Sequence, residues 1–187
     1  GGSADVAALL RCLRRLYAAG MPDEALRAIG LTVGSDVPFC VSGGTSLAEG
    51  RGERLTDLPP LPVCQIVLCK PDFGISTPEL FVLADGAVLS KRPDIAGLTA
   101  ALQGGELTGV TDRLCNVFEE FLPERYREVF RIKEILLAHG ALNAAMSGSG
   151  PTVYGIFESA AEAQRAAEVL KKSYQQTYVA KPVKKLV

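Results

Sequence analysis

The spacing of apolar positions changes along the chain, and each change predicts an element. Val6, Leu9, Leu10, Leu13, Leu16 and Tyr17 recur at helical intervals and share one face, with Arg11, Arg14 and Arg15 largely off it. Gly20 suits the position just past the end of that helix, and Pro22 opens a second short helix that Gly30 closes. From Val33 to Leu55 the pattern shortens: Gly43-Gly44 predicts a hairpin turn between strands Val37–Val41 and Thr45–Glu49. Leu58-Pro-Pro-Leu-Pro62 is stiff and poor in amide donors, so it cannot continue a sheet and predicts a crossing between domains.

Beyond the crossing, Gln65–Cys69 is a nearly continuous apolar run of strand length. Thr77-Pro78-Glu79 predicts a helix start with Thr77 as N-cap, Pro78 at the first helical position and Glu79 in the first turn. Helical patterns follow over Thr111–Phe121 and Glu124–His139, closed by Gly140, which leaves His139 as a partner for the negative end of its helix. Strand, glycine-rich turn and strand come next: Leu142–Met146, Ser147-Gly-Ser-Gly150 and Thr152–Phe157. Ser159-Ala-Ala-Glu162 has the form of a capping box, starting a helix through Lys172, and Thr177–Val183 supplies a last strand. Helices and strands mix without strict alternation, so the predicted class is α+β rather than doubly wound.

Composition narrows the classes of function. With 187 residues, 48% hydrophobic and 22% charged, the chain has material for one domain or two small ones. A net charge of −1 speaks against a nucleic-acid binder, which carries a basic stripe. The cluster Lys181-Pro-Val-Lys-Lys185 reads as a solvated terminal segment. Apolar runs all fall short of the roughly 18 residues a membrane helix needs, so no transmembrane helix is expected. Five scattered cysteines without a C-x-x-C pair, and the single His139, predict reduced, buried thiols, a cytoplasmic location and no metal held by Cys or His.

Three segments hold residue types suited to chemistry. Gly1-Gly-Ser-Ala-Asp5 runs straight into the first helix, where small residues and unpaired amides outline a phosphate site; an added Gly-Gly-Ser leader would read the same way. Gly34-Ser-Asp-Val-Pro-Phe39 fixes Asp36 at a loop-to-strand position, where its carboxylate either accepts a proton or holds a turn. Met146-Ser-Gly-Ser-Gly-Pro-Thr152 is a hairpin loop or an anion site. It lacks the Gly-Lys-Ser/Thr ending of a P-loop and the third glycine of a dinucleotide fingerprint.

In that order the segments resemble the motifs of the GHMP kinase family. The run from Gly34 through Gly43-Gly-Thr45 to Glu49-Gly-Arg-Gly-Glu53 is similar to the branch whose substrate carries a cytidyl diphosphate. So are Ile75-Ser-Thr-Pro78, Asn116-Val-Phe-Glu119 and Met146–Tyr154, and the resemblance covers essentially the whole chain. It implies a two-domain α+β architecture, with residues 1–58 the C-terminal part of the N-terminal, ATP-binding domain and 59–187 a ferredoxin-like C-terminal domain. It implies transfer of the ATP γ-phosphoryl group to the tertiary 2-hydroxyl of a cytidyl-diphosphate methylerythritol, in the non-mevalonate route to isoprenoid precursors.

The family's base maps onto Asp36. Gly1, Gly2, Ser3 and Asp5 match the second half of its ATP loop, and Ser147, Gly148, Ser149 and Gly150 are expected against the phosphates. Thr77, Phe81, Gly148 and Thr152 are expected on the substrate, with Phe81 stacking on the base or serving as core. Mg²⁺ is expected with ATP, held mainly by phosphates and water. The implied partner is a small molecule rather than nucleic acid or membrane, and the implied state a monomer or weak homodimer. The family's Lys partner of the base and the first half of the ATP loop match nothing here, which implies no ATP turnover by this span alone. Mevalonate- and homoserine-type sister kinases share the glycine loops more readily than the Gly34–Glu53 run. A non-catalytic α+β module is the reading from another class.

Overall fold

In a computed structural model, residues 1–90 and 92–183 are described, and they form two compact units, Gly1–Pro60 and Leu61–Pro182. The first unit contains helices α1 (Gly2–Tyr17), α2 (Asp23–Val33) and α3 (Val37–Ser42) and a hairpin of β1 (Thr45–Glu49) and β2 (Arg54–Leu58). Its core is Ala7, Leu26, Val37 and Val41, with Val6, Leu10, Met21 and Cys40 packed around them. The buried side of α1 is therefore the Val6–Ala7–Leu10 side. Leu9, Leu13, Leu16 and Tyr17, placed by spacing on one apolar face, are exposed among the described residues.

Three local expectations fail in this unit. Val37–Ser42 is helix, not strand. Pro38 sits in the first turn, where its missing N–H costs nothing, and Val37 and Val41, four apart, bury one side of the short helix. Gly43, at φ 65°, ends it. Strand β1 pairs instead with β2 across Gly50-Arg-Gly-Glu53, where Gly50 and Gly52 take φ values of 69° and 107°. Nor does Gly30 close α2, which continues to Val33; a Cβ at Gly30 would meet Val37 Cγ1 at 2.7 Å, so the glycine is where α3 approaches.

The second unit is a four-stranded antiparallel sheet in the order β4-β5-β3-β6, from β3 (Gln65–Lys70), β4 (Asn143–Met146), β5 (Val153–Phe157) and β6 (Gln176–Ala180). With α7 (Glu128–Ala138) before β4 and α8 (Ala160–Lys171) before β6, this is the β-α-β-β-α-β ferredoxin-like arrangement. Val67 and Cys69 of β3, with Val153 and Phe157 of β5, point into a core closed by Ile132 and Leu136 of α7. Ala163, Ala166 and Ala167 let α8 sit close to the same face. The α+β class is as the sequence predicts.

Several boundaries move. Ser76, not Thr77, caps α4 (Thr77–Asp85), its Oγ accepting from Glu79 N at 3.4 Å. Helix α5 (Ile95–Gly104), capped by Asp94, is an element beyond those predicted, with Ile95, Leu98, Ala101 and Leu102 at helical spacing. The predicted Thr111–Phe121 helix is instead the end of α6 (Leu107–Thr111), a loop and a 3-10 turn over Val117–Phe121. Asn116 breaks it by capping that turn with its own side chain, which accepts from Phe118 N at 3.0 Å. A second 3-10 turn, Glu124–Tyr126, precedes α7. All five cysteines are free, but Cys12 and Cys115 are exposed rather than buried. Among the described residues no helix is long and apolar enough to cross a membrane.

Candidate active site

In the first unit the predicted residues stand at two helix starts. Gly1 is the N-cap of α1, with no side-chain cap; its carbonyl accepts from Ala4 N and Asp5 N at 2.9 and 3.2 Å. The amides of Gly2 and Ser3 have no partner among the described residues, so the helix begins with donors in reserve. Asp36 is the N-cap of α3, yet its side chain makes no capping bond, and its main-chain carbonyl alone accepts from Cys40 N at 3.1 Å. Its carboxylate is exposed and has no hydrogen-bond partner among the described residues. Of the two roles open to it in the sequence, holding a turn is thus not the one the side chain plays.

Backbone around Asp36 is fixed from both sides. Val37 is buried in the three-helix core, and Val37 N donates to Gly34 O at 3.1 Å. Arg11 Nη2 donates to the carbonyls of Cys40, at 3.1 Å, and Val41, so α1 covers the negative end of α3. From the other flank, Gly52 of the hairpin loop comes so near that an added Cβ would lie 2.7 Å from Ser35 O. The Glu53 carboxylate accepts from Arg51 N at 2.6 Å, keeping that loop tight. Main-chain bonds to that carboxylate, from Glu53 itself and then Arg51, hold it below the usual carboxylate range. The motif run Gly34–Glu53 is therefore one contiguous piece of structure.

In the second unit the glycine loop joins β4 to β5. Ser147 N donates to Thr152 O at 2.8 Å and Gly150 N to Ser147 O at 2.9 Å, while Gly148 and Gly150 adopt φ values of 56° and 76° that favour glycine. The amides of Gly148 and Ser149 are unpaired among the described residues, a pair of adjacent donors suited to an anion. Thr77 Oγ1 and Ser149 Oγ lie 2.7 Å apart, so the start of α4 and the loop meet. Phe81 is 55% exposed, hence not a core residue, and meets Phe118 edge-on with centroids 5.4 Å apart.

A recess of about 360 Å³ opens beside the loop, lined among others by Asn116, Phe118, Met146, Ser147, Gly148 and Tyr154. Burial, and secondarily the Glu119 carboxylate, push the Tyr154 hydroxyl above its ordinary value. Two residues without an assigned role stand behind the loop. Asn116 Nδ2 donates to Met146 O at 2.7 Å and to Gly148 O at 2.8 Å, and Glu119 Oε1 accepts from Met146 N at 2.6 Å while its other oxygen pairs with Lys133. Their only sequence signal is the short Asn116-Val-Phe-Glu119 motif, because the bonds span some thirty residues. Among the described residues, no group of three or more His, Cys, Asp or Glu side chains is arranged to hold a metal ion.

Residues 1–44 match the family described as the GHMP kinases N terminal domain, and residues 98–176 the GHMP kinases C terminal family. The chain is 43% identical over 185 residues to the 4-diphosphocytidyl-2-C-methyl-D-erythritol kinase of Enterococcus faecalis, and 38% identical over 183 residues to that of Clostridium acetobutylicum. Each alignment takes in 98% of this chain but 65% of the relative, so the chain spans a little under two thirds of their length. Its fold matches a crystal structure of 4-(cytidine 5'-diphospho)-2C-methyl-D-erythritol kinase with a TM-score of 0.79 at 29% identity, covering 97% of this chain and 65% of that one. It also matches the fold of L. major mevalonate kinase in complex with R-mevalonate, with a TM-score of 0.77 at 19% identity, over 98% of this chain and 65% of that one.

Proposed function

The chain belongs to the GHMP kinases, and on that premise we propose that the complete protein moves a phosphoryl group from ATP to the 2-hydroxyl of 4-diphosphocytidyl-2-C-methyl-D-erythritol. The observation that carries the mechanism is Asp36: an exposed carboxylate without a hydrogen-bond partner among the described residues, on a backbone held by the core and by the hairpin loop. A tertiary hydroxyl is a poor nucleophile, and a carboxylate not committed elsewhere can accept its proton as the oxygen attacks. Bound ATP supplies the activated phosphoryl group. The unpaired amides of Gly148 and Ser149 fit phosphate oxygens, as do those of Gly2 and Ser3 at the start of α1. Asp5 lies one turn further along α1, and Gly150 keeps the loop's far end turned. Mg²⁺ would be held by phosphate oxygens and water, which need no protein cage.

On this reading Thr77, Phe81, Gly148 and Thr152 serve the cytidyl substrate; the exposed ring of Phe81 supports the stacking role over the core role. Residues 1–58 are read as part of the family's N-terminal domain and 59–187 as its C-terminal domain. Five free cysteines fit a reducing compartment, so the cytoplasm is the proposed setting and a monomer or weak homodimer the proposed state. Steady-state kinetics of Asp36→Asn in the full-length protein tests the mechanism. We expect kcat to fall by about a hundredfold or more with little change in KM, the range a general base contributes. Wild-type kcat in that variant removes Asp36 from the reaction. Turnover with mevalonate or homoserine but not the cytidyl substrate would move the chain to a sister activity.

A further inference from the structure

Strand β4 lies at the edge of its sheet, so Met146 has main-chain groups that no neighbouring strand takes up. Two side chains take them instead: Glu119 Oε1 accepts from Met146 N at 2.6 Å, and Asn116 Nδ2 donates to Met146 O at 2.7 Å. That much is edge protection. The second proton of the Asn116 amide goes further, to Gly148 O at 2.8 Å, inside the glycine loop. A trans peptide is planar, with its C=O and N–H antiparallel. Fixing the Gly148 carbonyl toward Asn116 therefore fixes the next amide, Ser149 N–H, to point away from it. That amide is one of the two unpaired donors of the loop. Asn116 itself cannot rotate freely, because its Oδ1 accepts from Phe118 N at 3.0 Å. The oxygen is held by the 3-10 turn, so the nitrogen must face the loop.

We infer that Asn116 is a positioning residue that holds the Gly148–Ser149 peptide in the orientation presenting Ser149 N–H to a bound phosphate. The inference rests on the proposed reading of the loop as the phosphate site. Glycine at 148, already at a φ of 56°, leaves the alternative orientation accessible, so the orientation has to be imposed from outside. A carboxylate at position 116 keeps the size and the cap of the 3-10 turn, but it repels the two carbonyls and attracts the amide. The peptide should then turn over, drawing Ser149 N–H off the ligand.

The experiment is a titration of the full-length protein, ¹⁵N-labelled at serine and glycine, with ADP, following the Gly148 and Ser149 amides by NMR. In wild type both amides should shift with ADP. Asn116→Asp should weaken ADP binding by about tenfold or more, the loss of one hydrogen bond to an anion. Its Ser149 amide should also move downfield before any ADP is added, as it meets the new carboxylate. Asn116→Ala removes the clamp without inverting it and should fall between the two. Equal ADP binding in wild type and Asn116→Asp overturns the inference, and so does a loss in Asn116→Ala as large as in Asn116→Asp, which marks a merely structural residue. Should the Asp variant fail to fold, the Ala variant decides alone, an unchanged ADP midpoint overturning the inference. A wild-type loop that ignores ADP would sink the phosphate-site reading and the inference with it, whereas a responsive loop with unaffected variants sinks the inference only.

Discussion

Gly30→Ala sets two effects of opposite sign against each other at the base of the Asp36 turn. Gly30 is buried inside α2, where alanine is the better helix former by about 1 kcal/mol. The added Cβ, however, would lie 2.7 Å from Val37 Cγ1 and 3.3 Å from Val37 Cβ. Val37 is 1% exposed and branched at Cβ, so it has no empty rotamer to enter, and the contact reaches an atom close to its main chain. Overpacking of this kind costs about 1–3 kcal/mol, and the short distance puts this site in the upper part of that range. The net expectation is a loss of about 1–2 kcal/mol, with some of the displacement passed to Asp36, the residue before Val37. Urea denaturation measures the first part, and a double-mutant cycle with Val37→Ala isolates its cause. With the Val37 methyls gone, only the 3.3 Å approach of the residue-37 Cβ is left to oppose helix propensity. Gly30→Ala should then cost clearly less than in wild type, its sign turning toward stabilising by less than about 1 kcal/mol. If Gly30→Ala stabilises the wild-type background, or costs the same in both backgrounds, the close approach of α2 and α3 is not what fixes this turn.

Further outcomes follow from other contacts. Phe81→Ala should raise KM for the cytidyl substrate more than for ATP, while costing no more than the edge-on pair with Phe118, about 0.5–1.5 kcal/mol; equal KM effects with a larger stability loss would make Phe81 a packing residue. Leu136→Ala empties a fully buried site against Gly155 and should cost about 2–5 kcal/mol by chemical denaturation; a loss under about 1 kcal/mol would mean the α7–sheet core is loosely packed. Burial first, and its bond to the Glu128 carboxylate second, push the Tyr174 hydroxyl from 10.0 up to about 12. A raised folded pKa contributes stability that is intact below the unfolded value and is lost as pH climbs through the folded one. Wild type should therefore lose more stability than Tyr174→Phe between about pH 10 and 12. Parallel stability curves for the two proteins would show that the hydroxyl contributes nothing.

What could be read from the sequence divides by range. The cap of α8 was legible because it is local: Ser159 Oγ does accept from Glu162 N, at 3.3 Å, three residues away. Val37–Ser42 was not, because six residues are too few to show a helical period, and Val-Pro-Phe-Cys-Val has the composition of a strand. What makes it helical is burial against Ala7 and Leu26, which no short window contains. The same limit applies at the site. Asp36 and the Ser147–Gly150 loop stand out as residue types, yet whether the Asp36 side chain is spent on a turn depends on where the backbone amides of α3 point.

Asn116 and Glu119 show the limit most sharply, since spacing put them inside a helix, Thr111–Phe121, where neither would reach the loop. Asn116 is instead the residue that ends the helical reading, by capping the 3-10 turn. That same bond is what frees its nitrogen for Met146 and Gly148. The break in the helical pattern and the proposed role thus have one origin: a side chain that competes with the backbone for local hydrogen bonds breaks a helix and, in doing so, becomes available to fix another loop. Polar residues that interrupt an apolar period are therefore worth testing as supports of a glycine-rich loop, even when they lie some thirty residues from it and touch no ligand.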